Sequence, residues 1–353
     1  MRRLRGSGVV AVSVSRPLPV FSFLTTAYRT EQYLVQTIES VCGQTRTDWE
    51  LIVVDNGRSD EIAAIVQSYA SDSRIRLVRQ ENRGYEGGVT AAAALARGLY
   101  LCVLDSDDLL MPDFCARTGA VLAADRGVDA VGCDAFLFDD HGGTHKGYLR
   151  SIGFRARPHP GHPLTLTEML AGYIPYYTGA VRREAWSAVG GYEHTSEEVE
   201  ADVVMWLRLV DSGFDVRMLP ERLARCRIRK DSVSRDPAGI EAFEWRIQRS
   251  FQTVVHSATR AEDLDALRTN LQRLRYHQAM RRARRSLLEG NPAVARAEVK
   301  AAFAQRHTLR AALVACSVSL FPQTMRRLHP LKQWAAAALG HAIGRRSESV
   351  SPP

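Results

Sequence analysis

Residues 100–109 read YLCVLDSDDL, a short apolar run that ends in three carboxylates within four positions. A continuous apolar run of this length is typical of a strand buried on both faces of a sheet. Carboxylates crowded at the end of such a strand repel one another unless a cation is bound. The segment therefore predicts a buried strand that ends at a site for positive charge. The other interpretation is a surface turn, in which Asp108 begins the next helix.

The chain before this run alternates apolar strands with amphipathic helices. Residues 21–25, 51–54 and 75–78 read as strands, with helices between them and a small-residue helix from about 89 to 97. This order predicts an α/β fold with a mostly parallel sheet and helices on both faces. Ligands collect outside the carboxyl ends of such strands, so Thr25, Asp55 and Asp105 are expected on one rim.

Composition and charge limit the classes of function. The chain has 353 residues, 45% of them hydrophobic and 24% charged, which is typical of a folded enzyme. Its six cysteines form no CxxC pair, which favours a reducing compartment and a cytoplasmic location. The net charge of +8 divides into −3 for residues 1–240 and +11 for residues 241–353. A basic segment of that kind can meet an anionic surface, or it can be a solvated helical face.

Several segments in a fixed order resemble the signature of family 2 glycosyltransferases of bacterial type, which have the GT-A fold. They are LIVVDNG (51–57), ENRG (81–84), ARG (96–98), LDSDD (104–108), YTGAVRRE (177–184), GGY (190–192), Asp202 and WLRL (206–209). The resemblance covers about residues 21–234. It implies inverting transfer of a sugar from a nucleotide-diphosphate donor to a hydroxyl of a glycan, a lipid-linked molecule or a small molecule, with no nucleic acid as partner.

The same resemblance assigns roles to residues of the first half and to one later arginine. Thr25, Tyr28 and Asp55 would hold the nucleotide, Asp105 would meet the ribose and diphosphate, and Asp107 would hold a divalent metal, Mn²⁺ or Mg²⁺. Such a cation neutralises charge that develops on a diphosphate leaving group. Arg229 stands where many relatives have a histidine; a guanidinium cannot ligate a metal but can bind phosphate.

Asp202 is the candidate general base, which would take the proton from the acceptor hydroxyl. Together with the apolar residues at 206, 209 and 210, its spacing places it at the N-terminal edge of a buried helix face. The alternative is that Asp202 only caps this helix.

Ala201 replaces an acidic residue of the family, and Val89 and Thr90 replace an Arg-Asn pair. These departures leave open a catalytically degenerate relative that binds nucleotide or glycan. A nucleotidyltransferase would need a glycine-rich loop after the first strand, and residues 26–30 contain no glycine.

The predicted organisation has four parts. Residues 1–18 are a leader, 19–235 a catalytic domain, 236–344 a helical C-terminal region and 345–353 a disordered tail. The catalytic domain divides into a nucleotide-binding half (19–110) and an acceptor half (111–235), and residues 141–163 are predicted to be a long loop. Arginines at 281–285 and an apolar patch near Trp334 suggest either peripheral contact with the inner face of the membrane or a helical cap on the catalytic domain.

Overall fold

The computed structural model describes residues 18–139, 142–153, 158–193, 196–229 and 239–328. The strands are β1 (Phe21–Ala27), β2 (Trp49–Asn56), β3 (Ile75–Gln80), β4 (Tyr100–Val103), β5 (Leu109–Leu110), β6 (Val128–Asp139), β7 (Gly142–Gly147), β8 (Ala180–Arg182) and β9 (Asp215–Arg227). The helices are α1 (Glu31–Cys42), α2 (Asp60–Gln67), α3 (Gly84–Leu95), α4 (Phe114–Ala124), α5 (Tyr148–Ser151), α6 (Leu166–Leu170), α7 (Arg183–Ala188), α8 (Ala201–Asp211), α9 (Ile240–Gln252), α10 (Ala261–Leu288), α11 (Pro292–Gln305) and α12 (Leu309–Leu320).

One sheet holds the described strands in the order β3-β2-β1-β4-β8-β6-β9-β5, with β7 paired to β6. Pairing is parallel from β3 to β4 and between β6 and β9, whereas β8 runs antiparallel to both β4 and β6. The register sets Ala27 beside Asp55 and Leu24 beside Val103. The polar residues that follow these strands therefore share one rim, as the sequence predicts.

Helices cover both faces of the sheet, which confirms the predicted α/β architecture. Alternate residues of β1 belong to two separate cores: Leu24 packs in one, and Phe21, Phe23 and Ala27 pack in the other. This division follows from the two-residue repeat of a strand, which points successive side chains to opposite faces. Parallel pairing dominates the first half of the chain, and the second half is mixed because β8 enters the sheet in the opposite direction.

The C-terminal helices pack on the catalytic sheet. Phe251, Val254 and Leu267 are buried in the same core as Trp206 of α8. The arginines at 281, 282 and 285, which the sequence could assign to a membrane surface, form ion pairs with Glu241 and Glu244 of α9. These contacts form the helical cap that was one of the two interpretations of this region. In the described ranges, no helix is long and apolar enough to span a membrane.

One local prediction needs correction. Residues 142–151 were expected to be part of a loop, but they form β7 and α5, because β6 pairs with β7 as a hairpin. Thr30 lies at the N-cap of α1 and makes no side-chain capping bond; its hydroxyl shares a hydrogen bond with Ser106 Oγ at 2.8 Å. The predicted leader up to residue 17, the boundary at 235/236, Trp334 and the tail at 345–353 lie outside the described residues.

Candidate active site

Asp108 anchors the acidic turn from inside the protein. Its carboxylate accepts hydrogen bonds from the hydroxyls of Tyr176 and Tyr177 and from the Arg227 backbone N–H, the last at 2.6 Å. Burial raises the pKa of Asp108 to about 7, and the charge of Asp107 adds to the rise. The residue does not begin α4, whose N-cap is Asp113. Asp108 is therefore a structural group that fixes the turn.

The side chains of Asp105 and Asp107 lie at the rim, and each contacts a polar side chain. The Tyr85 hydroxyl donates to Asp105 Oδ1 at 2.6 Å, and Arg229 Nη1 lies 3.1 Å from Asp107 Oδ2. Burial is the main reason that the pKa of Asp105 is well above its usual value, and the charges of Asp108, Asp107 and Asp202 raise it further. The rim thus brings several acidic side chains within electrostatic range of one another.

Asp202 is the second residue of α8, and it lies close enough to this rim for its charge to act on Asp105. It is half-buried, and its charge raises the pKa values of Asp105 and Tyr192. Burial raises its own pKa to about 6, although the backbone N–H groups of Val203 and Asp202 act in the opposite direction. A carboxyl group with this pKa is largely ionised at neutral pH and still basic enough to accept a proton.

The residues expected to hold the nucleotide lie in different surroundings. Tyr28 is exposed and packs against the backbone at Gly57. Asp55 is fully buried and accepts hydrogen bonds from Ser59 N–H and Arg79 Nε, both at 2.9 Å. Thr25 is fully buried within β1, and its hydroxyl has no hydrogen-bond partner in the part of the chain described here. Of the three, Tyr28 is the one with accessible surface for a ligand.

Sequence reasoning missed the loop that leads into α3. Asn56 Nδ2 donates to the Gly84 carbonyl at 2.8 Å and to Asn82 Oδ1 at 3.2 Å, which fixes the turn before Tyr85. Tyr85 then reaches Asp105, and Glu86 lies close enough to raise the pKa of Asp202. The available signal was position: both residues directly follow the ENRG segment that carries the family resemblance.

The departures from the family pattern have local explanations. Val89 is completely buried in the core next to β1, so it contributes no polar contact to the site. Glu198 and Glu200 pair with Arg249 and Arg246 of α9, each at 2.6 Å. Ala201, between Glu200 and Asp202, is buried as the first residue of α8.

Sequence comparison identifies the protein family. Residues 22–184 match the model described as Glycosyl transferase family 2. Chondroitin synthase of Escherichia coli is 30% identical over 198 residues, 56% of this chain and 27% of that protein. Putative glycosyltransferase EpsE of Bacillus subtilis is 28% identical over 224 residues, 62% of this chain and 76% of that protein. The matched segment, residues 22–184, belongs to family 2 of the glycosyltransferases.

A solved glycosyltransferase structure supports the predicted GT-A fold. The mannosyltransferase PcManGT from Pyrobaculum calidifontis, in complex with GDP-Man and Mn²⁺, superimposes with a TM-score of 0.56 and 19% identity. The match covers 93% of this chain and 87% of that chain, so it includes C-terminal helices as well as the sheet. The family-model match ends at residue 184, before Asp202 and Arg229. The roles of these two residues therefore depend on the geometry given above.

The carboxylates at the rim fit a divalent cation that takes only one or two ligands from the protein. Within the ranges that the structure describes, no group of three His, Cys, Asp or Glu side chains is placed to hold a metal. Mg²⁺ and Mn²⁺ in phosphate sites commonly take one or two protein carboxylates and complete their shell with phosphate oxygens and water. Asp107, with Asp105 beside it, fits that arrangement, and a cation there would offset the repulsion among the acidic side chains of the rim.

Proposed function

We propose that this protein is an inverting glycosyltransferase that moves a sugar from a nucleotide-diphosphate donor to a hydroxyl of a glycan, lipid-linked or small-molecule acceptor. One observation carries the proposal: Asp202, on a helix remote in sequence, comes within electrostatic range of the DSDD turn and has a pKa of about 6. A basic carboxylate opposite an anionic leaving-group site is what a single displacement at a sugar carbon needs.

Asp202 would take the proton of the acceptor hydroxyl while that oxygen attacks the anomeric carbon. The bond between that carbon and the diphosphate oxygen breaks in the same step, so the configuration inverts and the nucleoside diphosphate leaves with the bonding electrons. Asp107 would hold a divalent cation, which supplies charge neutralisation for the leaving group. Asp105, oriented by Tyr85, would meet the ribose and diphosphate, and Arg229 is positioned beside Asp107 to contact phosphate.

Support for the substrate class comes from the relatives. One relative is a chondroitin synthase, and the structure of PcManGT is a complex with GDP-Man and Mn²⁺. We therefore assign this chain to cell-envelope polysaccharide synthesis, with a nucleotide sugar as donor and Mn²⁺ or Mg²⁺ as metal. The chain spans 27% of the chondroitin synthase, so that enzyme's whole activity is not carried over.

A thermal-shift screen with UDP-, GDP- and dTDP-sugars, each with and without Mn²⁺, tests donor binding. Because a ligand that binds only the folded state stabilises it, we expect one base to raise the Tm, and more so with Mn²⁺. The second candidate function is a degenerate binder of nucleotide or glycan, which the buried Val89 and Ala201 favour. A binder would show the same thermal shift and no release of nucleotide from the sugar.

We also propose that the enzyme works in the cytoplasm at the inner face of the membrane, with α12 in contact with lipid. Leu309, Leu313 and Leu320 lie within one stripe of α12 and are exposed by 76%, 59% and 68%. Arg326 and Arg327 are exposed just beyond them. Apolar residues flanked by arginines are suited to an anionic membrane surface.

A further inference from the structure

The N-terminal turn of α8 is held by a helix from the C-terminal region. Glu200 is the N-cap residue of α8, two positions before Asp202, and its own side chain makes no capping hydrogen bond. Its backbone N–H instead donates to Ser250 Oγ of α9 at 2.8 Å. Its carboxylate accepts from Arg246 Nε at 2.6 Å. Both the backbone and the side chain of Glu200 are thus tied to α9.

The contacts of Glu200 with Ser250 and Arg246 are largely shielded from solvent. Ser250 is fully buried, and its hydroxyl donates to the Arg246 carbonyl at 2.9 Å while it accepts from Glu200. In the ion pair, the side chains of Arg246 and Glu200 are exposed by only 23% and 20%. The neighbouring pair Arg249–Glu198 has the same length, but its partners are exposed by 47% and 55%. Exposed pairs contribute little, so the Arg246 pair is the stronger constraint.

The charge of Arg246 also offsets the repulsion between Glu200 and Asp202. The pKa of Glu200 is raised to about 7, mainly by burial and also by the nearby charge of Asp202, while Arg246 opposes the rise. If Arg246 were absent, a buried Glu200 carboxylate would repel Asp202 without compensation. The side chain would then take up a proton or move, and the turn that carries Asp202 would move with it.

Further contacts tie the rest of α8 to the same segment. Ser257 Oγ, just after α9, donates to Asp211 Oδ2 at the last residue of α8, at 2.9 Å. Between the two ends, Phe251 and Val254 pack in the core that contains Trp206. The base-bearing helix is therefore fixed at both ends by residues 246–257.

We propose that Arg246 and Ser250 are positioning residues for Asp202, so that the C-terminal helix α9 is part of the catalytic apparatus and not an appendage. This inference rests on the proposed function. Displacement of a reacting group by about 1 Å can cost on the order of 100-fold in rate. Loss of the tie should therefore lower kcat and leave donor binding, which uses the other side of the rim, unchanged.

The test compares Arg246→Met with Arg249→Met, which removes the same charge from the same helix at the exposed pair. Nucleotide release from the accepted donor sugar gives kcat and KM, and hydrogen exchange is followed in the peptide that covers residues 198–205. We expect Arg246→Met to lower kcat about 10- to 100-fold at unchanged donor KM, and to speed exchange in that peptide. Arg249→Met should resemble the wild type in both measurements.

A second substitution distinguishes a positioning role of Arg246 from general damage to the fold. Adding Glu200→Gln to Arg246→Met removes the uncompensated charge, so kcat should rise again relative to the single variant. Unchanged exchange or unchanged kcat in Arg246→Met would overturn the proposal, as would equal losses in Arg249→Met. If the wild type releases no nucleotide from any donor, the proposed function fails, and the exchange data still decide whether Arg246 orders the turn of Asp202.

Discussion

At the scale of single residues, the ionisation of Asp202 should control the pH dependence of the reaction. Burial raises the pKa of Asp202 to about 6, and a general base acts only when it is deprotonated. We expect kcat/KM to be level above pH 7 and to fall about tenfold per pH unit once the pH is well below 6. A profile measured with a saturating metal concentration checks this. A level profile down to pH 4.5 would contradict a base with this pKa.

Single residues also show what the sequence could and could not predict. The spacing around Asp202 predicted its place at the start of a buried helix, because helical periodicity is local. The role of Asp108 was left open, since it depends on Tyr176, Tyr177 and Arg227, which lie 68 to 119 positions away in sequence. No local pattern reports contacts of that kind.

At the scale of elements, α3 lies so close to β1 that it needs a glycine. A Cβ at Gly88 would be 2.3 Å from Thr26 Cγ2 and 2.5 Å from Thr26 Oγ1. Sequence periodicity predicted this helix from about residue 89, but it starts at Gly84, because the glycines that look like helix breakers are required by the packing.

Gly88→Ala should therefore destabilise the protein by about 1–3 kcal/mol, the usual cost of overpacking. Chemical denaturation measures the loss, with the midpoint denaturant concentration converted to a free energy of unfolding. Thr26→Ala should restore part of it in the double variant, because the two closest atoms to the new methyl are removed. If Gly88→Ala alone is as stable as the wild type, the approach of α3 to β1 is looser than described.

At the scale of the whole molecule, the C-terminal region has one part packed on the sheet and another part with exposed leucines. Its first helices are a cap on the catalytic core, with paired arginines. The exposed leucines of α12 lie beyond that cap. Sequence composition could count the basic residues but could not tell paired arginines from free surface, since pairing is decided by tertiary packing.

Vesicle sedimentation tests the membrane contact with the full chain. The protein should sediment with phosphatidylcholine vesicles that contain phosphatidylglycerol, and much less with phosphatidylcholine alone. Arg326→Gln with Arg327→Gln should weaken binding. Arg268→Gln with Arg284→Gln removes the same charge from α10 and should leave it nearly unchanged. Equal losses in the two variants would indicate nonspecific attraction and exclude α12 as the contact.

The most direct test of the assignment is turnover by the wild type and by Asp202→Asn. Both proteins are given the donor selected by thermal shift, with Mn²⁺, and release of the nucleoside diphosphate is measured. We expect the wild type to turn over and Asp202→Asn to lose about 10²- to 10⁴-fold in kcat, while both bind the nucleotide equally well. Equal turnover by the two proteins would show that Asp202 is not the base, and nucleotide binding without turnover by either would show that the protein is not a glycosyltransferase.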